Sequence, residues 1–238
     1  SHAAAARAVE LARDRRVDAL MKGSLHTDEL LSAVVARDSG IRTDRRVSHV
    51  YVMDVPAYPR PLLVTDAAVN IAPDLTCKRD ICQNAIDLAL LLGIQTPRVA
   101  VLSAVETINP RMQATLDAAA LSVMALRGQI TGGLVEGPFA FDNAIDLDAA
   151  RAKGLTGQVA GCADILLVPD IEAGNMLAKQ LLYFSGADGA GIVLGARVPI
   201  ILTSRADSVR VRIASVALAS LVAAGLRERE ANALVGEK

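Results

Sequence analysis

The feature that most constrains this chain is a recurring unit: a short, almost wholly apolar run, a polar loop, then a segment of helical periodicity. Arg98-Val99-Ala100-Val101-Leu102 leads into Ser103-Ala104-Val105-Glu106-Thr107-Ile108-Asn109-Pro110, and Asp164-Ile165-Leu166-Leu167-Val168-Pro169 precedes a further helical stretch. Gly191-Ile192-Val193-Leu194 and Val198-Pro199-Ile200-Ile201-Leu202-Thr203 are runs of the same kind. A strand that is apolar throughout, and not merely at alternate positions, has to be covered on both faces, and helices that connect parallel strands supply that cover. The pattern predicts an α/β fold of parallel-rich sheets flanked by helices. Hydrophobic residues make up 52% of the chain but aromatic ones only 3%, so its layers are built from Ala, Val, Leu and Ile. A length of 238 residues allows one large domain or two smaller ones.

Helices are expected over residues 3–15, over 27–35 with Thr27 as cap, and over 74–92, closed by Gly93 where a left-handed residue ends a helix at little cost. Another should start with Asn109 as cap and Pro110 in the first turn, carry Met112, Leu116, Ala119, Val123 and Leu126 down one face, and end at Gly128. The last two are expected over 175–183 and from Asp207 onward. Further strands are expected at 17–21, 47–55 and 62–65. Residues 211–226 are Ala-rich enough to resemble a membrane span, but Arg210, Arg212, Arg227 and Arg229 bracket them and the helical period suits a buried core helix. No membrane partner is expected.

Lys and Arg number 25 against 26 Asp and Glu, so there is no global positive field and no nucleic-acid partner is expected. Three cysteines, Cys77, Cys82 and Cys162, lack CxxC spacing, which argues against a disulfide framework and a zinc site and for reduced thiols in the cytoplasm.

Three polar loops sit between an expected strand and an expected helix, where α/β sheets bind ligands and helix N-termini favour anions. They are Lys22-Gly23-Ser24-Leu25-His26-Thr27-Asp28, the 103–110 loop, and Leu202-Thr203-Ser204-Arg205-Ala206-Asp207-Ser208. From spacing alone each could equally be an ordinary capped turn, with Ser204 or Asp207 capping a helix and Arg205 solvated. The glycines of 186–195 miss the dinucleotide fingerprint by one place, and the P-loop, HExxH and GxSxG motifs are absent.

Seven segments, in order, together resemble the phosphate acetyl/butyryltransferase family, and most closely its butyryltransferase-like branch. They are residues 21–27 and 101–110 within the loops above, Thr65-Asp66-Ala67-Ala68-Val69-Asn70-Ile71-Ala72-Pro73-Asp74, Arg127-Gly128-Gln129-Ile130-Thr131-Gly132-Gly133, Gly137-Pro138-Phe139-Ala140-Phe141-Asp142-Asn143-Ala144, Val168-Pro169-Asp170-Ile171-Glu172-Ala173-Gly174-Asn175, and residues 199–207. The resemblance implies a two-lobed α/β fold similar to isocitrate and isopropylmalate dehydrogenases, with residues 1–84 plus 196–238 in the first lobe and 85–195 in the second. It also implies coenzyme A and phosphate meeting in the cleft. Family members begin with further strand-helix units, so the chain is expected to be a fragment. It also looks like the transferase half of proteins fused to an enoyl-CoA-hydratase-like domain.

The implied reaction moves a short acyl group, acetyl to butyryl, between coenzyme A and inorganic phosphate by attack of the thiol on the acyl phosphate. On the matching positions Ser204, Arg205 and Asp207 would be catalytic. Ser204 would hydrogen-bond the reacting thiol or carbonyl, Arg205 would stabilise the developing charge, and Asp207 is the nearest acid to serve as base. Lys22, Ser24, His26, Thr27, Ser103, Glu106, Thr107, Asn143 and Asn175 would bind coenzyme A or phosphate. The acetyltransferase branch carries its base further into the last helix, where this chain reads Val209-Arg210-Val211-Arg212. No metal and no tightly bound cofactor are expected; the partners are acyl-CoA, phosphate and acyl phosphate, with assembly into a homodimer or higher homo-oligomer. Two alternatives stay open at this level: a metal-dependent pyridine-nucleotide dehydrogenase, for which Asp66, Asp142 and Asp170 are scattered candidates, and a non-catalytic family member.

Overall fold

The structure, a computed structural model, describes residues 2–204 and 206–236. In chain order its elements are α1 (His2–Arg13), β1 (Leu20–Met21), α2 (Thr27–Val34), β2 (Ser48–Asp54), β3 (Leu62–Thr65), α3 (Leu75–Leu91), β4 (Arg98–Leu102) and α4 (Gln113–Leu126), followed by β5 (Leu134–Phe139), α5 (Phe141–Ile145), α6 (Leu147–Ala152), β6 (Ile165–Leu167), α7 (Ile171–Tyr183), β7 (Asp188–Leu194), β8 (Ile200–Ile201) and α8 (Val209–Gly236). They form two compact units, Ser1–Val47 with Ala190–Lys238, and Ser48–Gly189. Residue 84 lies inside α3, and β2 and β3 pair within the second unit.

In the second unit the strands run β2-β3-β6-β4-β5, with β2 antiparallel to β3 and the other pairs parallel. Their apolar runs behave as both-face burial demands, since all four residues of β3 and all three of β6 are buried. Val64, Ala100 and Leu166 form the middle of the core, joined by Ala144, Ala150 and Ala178 from the helices. Gly137 explains how tightly α4 lies on this sheet: a Cβ there would stand 2.8 Å from the Val101 carbonyl oxygen and 3.2 Å from the Ala118 Cβ. Helix α3 starts where Asp74 accepts the Cys77 amide at 2.8 Å and stops before Gly93 at φ +89°. It crosses to α4 through a buried ion pair, Lys78 Nζ to Asp117 Oδ2 at 2.7 Å, with each side chain 6% exposed.

In the first unit β8 pairs in parallel with β1, Leu20 opposite Ile200 and Met21 opposite Ile201, and antiparallel with β7. Helix α1 buries Ala5, Val9 and Ala12. Helix α8 is long and apolar enough, by length and composition, to cross a bilayer. It is only half the buried helix expected: Ser215, Leu218, Ala219, Val222 and Ala223 are buried, while Ile213, Val216 and Leu221 on the other face are exposed. The Ser215 hydroxyl joins it to β7 by accepting the Gly191 amide at 3.0 Å.

Other expectations shift locally. His26, not Thr27, stands at the cap position of α2, and its side chain makes no capping bond. Helix α4 begins at Gln113, because Asn109 and Thr115 hold a turn together before it: the Asn109 amide donates to Thr115 Oγ1 and the Thr115 hydroxyl reaches back to the Asn109 carbonyl. Its buried residues are Thr115, Asp117, Ala118 and Leu121, so the face expected to be apolar is turned outward, with Val123 47% and Leu126 87% exposed. Helix α7 starts four residues early, capped by Asp170, and α8 starts two residues late, after Ser208. Strand β5 and helices α5 and α6 were not expected from the sequence.

Candidate active site

The first unit gathers two of the polar loops at one edge. Because β1 and β8 are parallel neighbours, the chain leaves both at the same end, and the Lys22 amide still donates to the Ile201 carbonyl at 3.0 Å. Lys22 folds over its own loop, its ammonium donating to the carbonyls of Gly23 and Leu25 at 3.3 and 3.1 Å. Ser24 and His26 are exposed and Thr27 is half-buried. Asp28 and Glu29 occupy the first turn of α2, so its positive end already faces carboxylates.

Beyond β8, Ser204 and Asp207 close a turn on each other. The Ser204 amide donates to Asp207 Oδ2 at 2.6 Å, the Asp207 amide to the Ser204 carbonyl at 3.2 Å, and the Ala206 amide to Ser204 Oγ at 3.3 Å. Neither residue caps α8; that is done by Ser208, whose hydroxyl accepts the Val211 amide at 3.3 Å. The Ser204 oxygen thus accepts within the turn, and among the described residues its hydroxyl has no acceptor. Arg205 lies outside the described residues.

The second unit lines up four loops at the carboxyl ends of β3, β6, β4 and β5, where α/β sheets characteristically bind ligands. The Ser103 amide donates to the Phe139 carbonyl at 2.7 Å and the Val168 amide to the Thr65 carbonyl at 2.8 Å, tying neighbouring strand ends together. Glu106, on the loop after β4, meets Asn143 of α5, whose amide donates to its Oε2 at 3.3 Å. Lys153, just past α6, donates to the same oxygen at 3.3 Å and lies 3.5 Å from Asp142 Oδ2. The Glu106 carboxyl is held below its ordinary value, first by its own backbone N–H, then by Lys153 and Asn143. Lys153 is raised above its ordinary value: desolvation, the largest single influence, pulls it down, but its bonds to Glu106 and Asp142 and the field of both carboxylates outweigh that. Asn143 is fully buried, and its Oδ1 has no donor among the described residues. Ser103 is half-buried and Thr107 exposed beside this cluster.

Asn175 belongs to a second cluster. Its amide donates to the Ala67 carbonyl at 3.3 Å, and Gly174 lets α7 approach that loop, since a Cβ there would be 2.6 Å from the Asp66 carbonyl oxygen. The loop is folded around the Asp66 carboxylate, which accepts the amides of Ala68, Val69 and Asn70 and the Asn70 side chain at 2.6–3.1 Å. Asp66 and Asp170 thus spend their oxygens on backbone and cap bonds, which does not favour the dehydrogenase alternative. The sequence reading missed Lys153, and missed Asp66 as the organiser of its loop; the Asp-x-x-x-Asn spacing of Asp66 and Asn70 was the available signal for the latter.

Residues 2–220 match the family model described as Phosphate acetyl/butaryl transferase. The chain belongs to this family. It is 62% identical over 98% of its length to the phosphate acetyltransferase of Rhizobium meliloti, and 48% identical over 91% to the phosphate butyryltransferase of Clostridium beijerinckii, covering 74% and 72% of those proteins. Of other curated phosphate acetyltransferases it spans as little as 64%. A branched-chain phosphotransacylase from Enterococcus faecalis superposes with a TM-score of 0.83 at 34% identity, over 92% of this chain and 78% of that one. At the level of fold alone, likeness extends to a 4-hydroxythreonine-4-phosphate dehydrogenase homologue from Salmonella typhimurium, with a TM-score of 0.52 at 16% identity, 92% of this chain and 69% of that one. Membership of the phosphate acetyl/butyryltransferase family agrees with the resemblance carried by the loop segments, and the fold class agrees with the expected α/β architecture.

Proposed function

We infer that the complete protein is a phosphate acyltransferase, moving an acyl group in the acetyl to butyryl range between coenzyme A and inorganic phosphate. The observation that carries this reading is the turn after β8, in a chain of this family, in which the Ser204 hydroxyl has no acceptor among the described residues. In the direction of acyl-CoA synthesis the coenzyme A sulfur bonds to the acyl carbonyl carbon, the carbon–oxygen bond to phosphate breaks, and phosphate leaves with the electron pair and takes up the proton that the thiol gives up. A free thiol has a pKa of about 8.5, so proton removal assists attack at neutral pH. Ser204 donates to the carbonyl oxygen or to the reacting sulfur, and Arg205 supplies permanent charge to the oxyanion or phosphate; losing such a donor costs roughly 100- to 1000-fold in rate. Asp207 holds the turn through the Ser204 amide, a positioning role. Lys22, Ser24, His26, Thr27, Ser103, Glu106, Thr107, Asn143 and Asn175 serve coenzyme A and phosphate.

Coenzyme A enters this scheme as a substrate, and no tightly bound cofactor is required by it. A cytoplasmic homodimer or higher homo-oligomer, with its lobes divided at 84/85 and 195/196, completes the reading. The test is phosphate-dependent release of free thiol by the complete protein from acetyl-, propionyl- and butyryl-CoA. Release with at least one of them, abolished when phosphate is omitted, is expected. Absence of release with all three would sink the assignment and leave the non-catalytic reading.

A further inference from the structure

At the other end of the β1–β8 pair, where both strands begin, the first unit has an open cavity of about 430 Å³. Four guanidiniums line it: Arg13 at the end of α1, Arg15 in the turn that follows, Arg197 on the approach to β8 and Arg227 on α8. Among the described residues the only carboxylate in its wall is Asp18. In a chain with 25 basic and 26 acidic residues this is a local concentration of charge, not a share of a general excess. The floor is apolar, with Ala12, Pro199 and Ala223 buried.

The arginines are not equally committed. Arg227 Nη1 is 2.8 Å from Asp18 Oδ2, and Arg13 donates to the Ser39 carbonyl at 3.2 Å and has its Nε 3.7 Å from Asp14 Oδ1. Among the described residues the Arg197 guanidinium has no acidic partner. Its backbone is fixed nevertheless, because its amide donates to the Ile41 carbonyl at 3.0 Å and Ala196 is bridged to Arg42. An exposed guanidinium without an acidic partner, carried on a fixed backbone beside three others, suits a tetrahedral oxyanion, whose several acceptor oxygens can take paired N–H bonds. Cavities of about 300–1,000 Å³ hold small ligands, so this one accommodates more than a bare anion, and its apolar floor calls for a carbon body.

We propose that this cavity is a second binding site, separate from the Ser204 turn, for a small phosphorylated or phosphonate-like dianion with a short apolar body. Pro199 and Ser204 are only five positions apart in the chain, so binding has to be assigned to one end or the other by competition. The probe is phenylphosphonate, a non-hydrolysable dianion on a ring, titrated calorimetrically into the complete protein with saturating coenzyme A present; inorganic phosphate and the neutral benzyl alcohol are the comparison arms. One-site binding that survives coenzyme A is expected, with weaker binding of inorganic phosphate and none of benzyl alcohol. Arg197→Ala should weaken the phenylphosphonate affinity at least tenfold and Arg197→Glu should abolish it, with melting temperatures unchanged. Arg13→Ala, on a different element, should weaken it several-fold. The proposal is overturned if phenylphosphonate does not bind, if coenzyme A displaces it, or if its affinity is the same in the two arginine-to-alanine variants as in the parent. Acyl transfer is measured separately, so its absence would remove the proposed function without touching this site.

Discussion

Only 2.6 Å separates the Asp207 carboxylate from the Ser204 amide, and that contact sets what replacements of Asp207 should do. Asn retains an acceptor oxygen, so Asp207→Asn is expected to keep turnover within about threefold of the parent, while Asp207→Ala opens the turn and lowers kcat tenfold or more without a matching change in acyl-CoA affinity. Steady-state kinetics of both in the complete protein decide it; an Asn variant as impaired as the Ala one would return Asp207 to the role of base. At this scale the sequence was informative about polarity and poor about direction. The strand-to-helix spacing placed Ser204 and Asp207 in the loop between β8 and α8, but did not reveal their mutual bonding. Lys153 was illegible because its connection to Glu106 spans 47 positions and no short pattern encodes it.

Helix α4 shows why an element can be recognised and still be misoriented. Its sequence, Gln-Ala-Thr-Leu-Asp-Ala-Ala-Ala-Leu-Ser-Val-Met-Ala-Leu, is apolar on nearly every side, so periodicity cannot choose a face. Packing chose it: Ala118 fits over Gly137, and Asp117 reaches Lys78. Strand β5 escaped notice for a related reason, since the Gly137-Pro138 step within Leu134–Phe139 reads as a turn. The Lys78–Asp117 pair yields a prediction at this scale. Lys78→Met strands a carboxylate in a dry interface and should destabilise the protein by about 3–5 kcal/mol in urea unfolding, whereas Lys78→Met with Asp117→Leu should recover most of that loss. Equal stability of the single and double variants would mean that the pair is not desolvated in solution.

For the molecule as a whole, the parallel α/β architecture was legible because runs such as Ile165–Leu167 are apolar at every position, which only a sheet covered on both sides allows. The order of its strands was not, because β2 and β3 carry no local mark of their neighbours: Leu63 pairs with Ile165, about a hundred positions away. The two units also differ in how deeply their strands are held. Strand β3 lies between two others, whereas β1 and β8 are two residues each, and the amides of Leu20 and Lys22 bridge them to the Pro199 and Ile201 carbonyls. So short a ladder can open without disturbing a core. In deuterium exchange the Leu20 and Lys22 amides should therefore lose their protons orders of magnitude sooner than that of Leu63, and should slow when acyl-CoA is bound. Protection equal to that of Leu63 in the free protein would contradict this. The turn that holds Ser204 thus hangs from a ladder able to breathe on its own, so that the clock of its opening can be read out amide by amide while Leu63 stays protected.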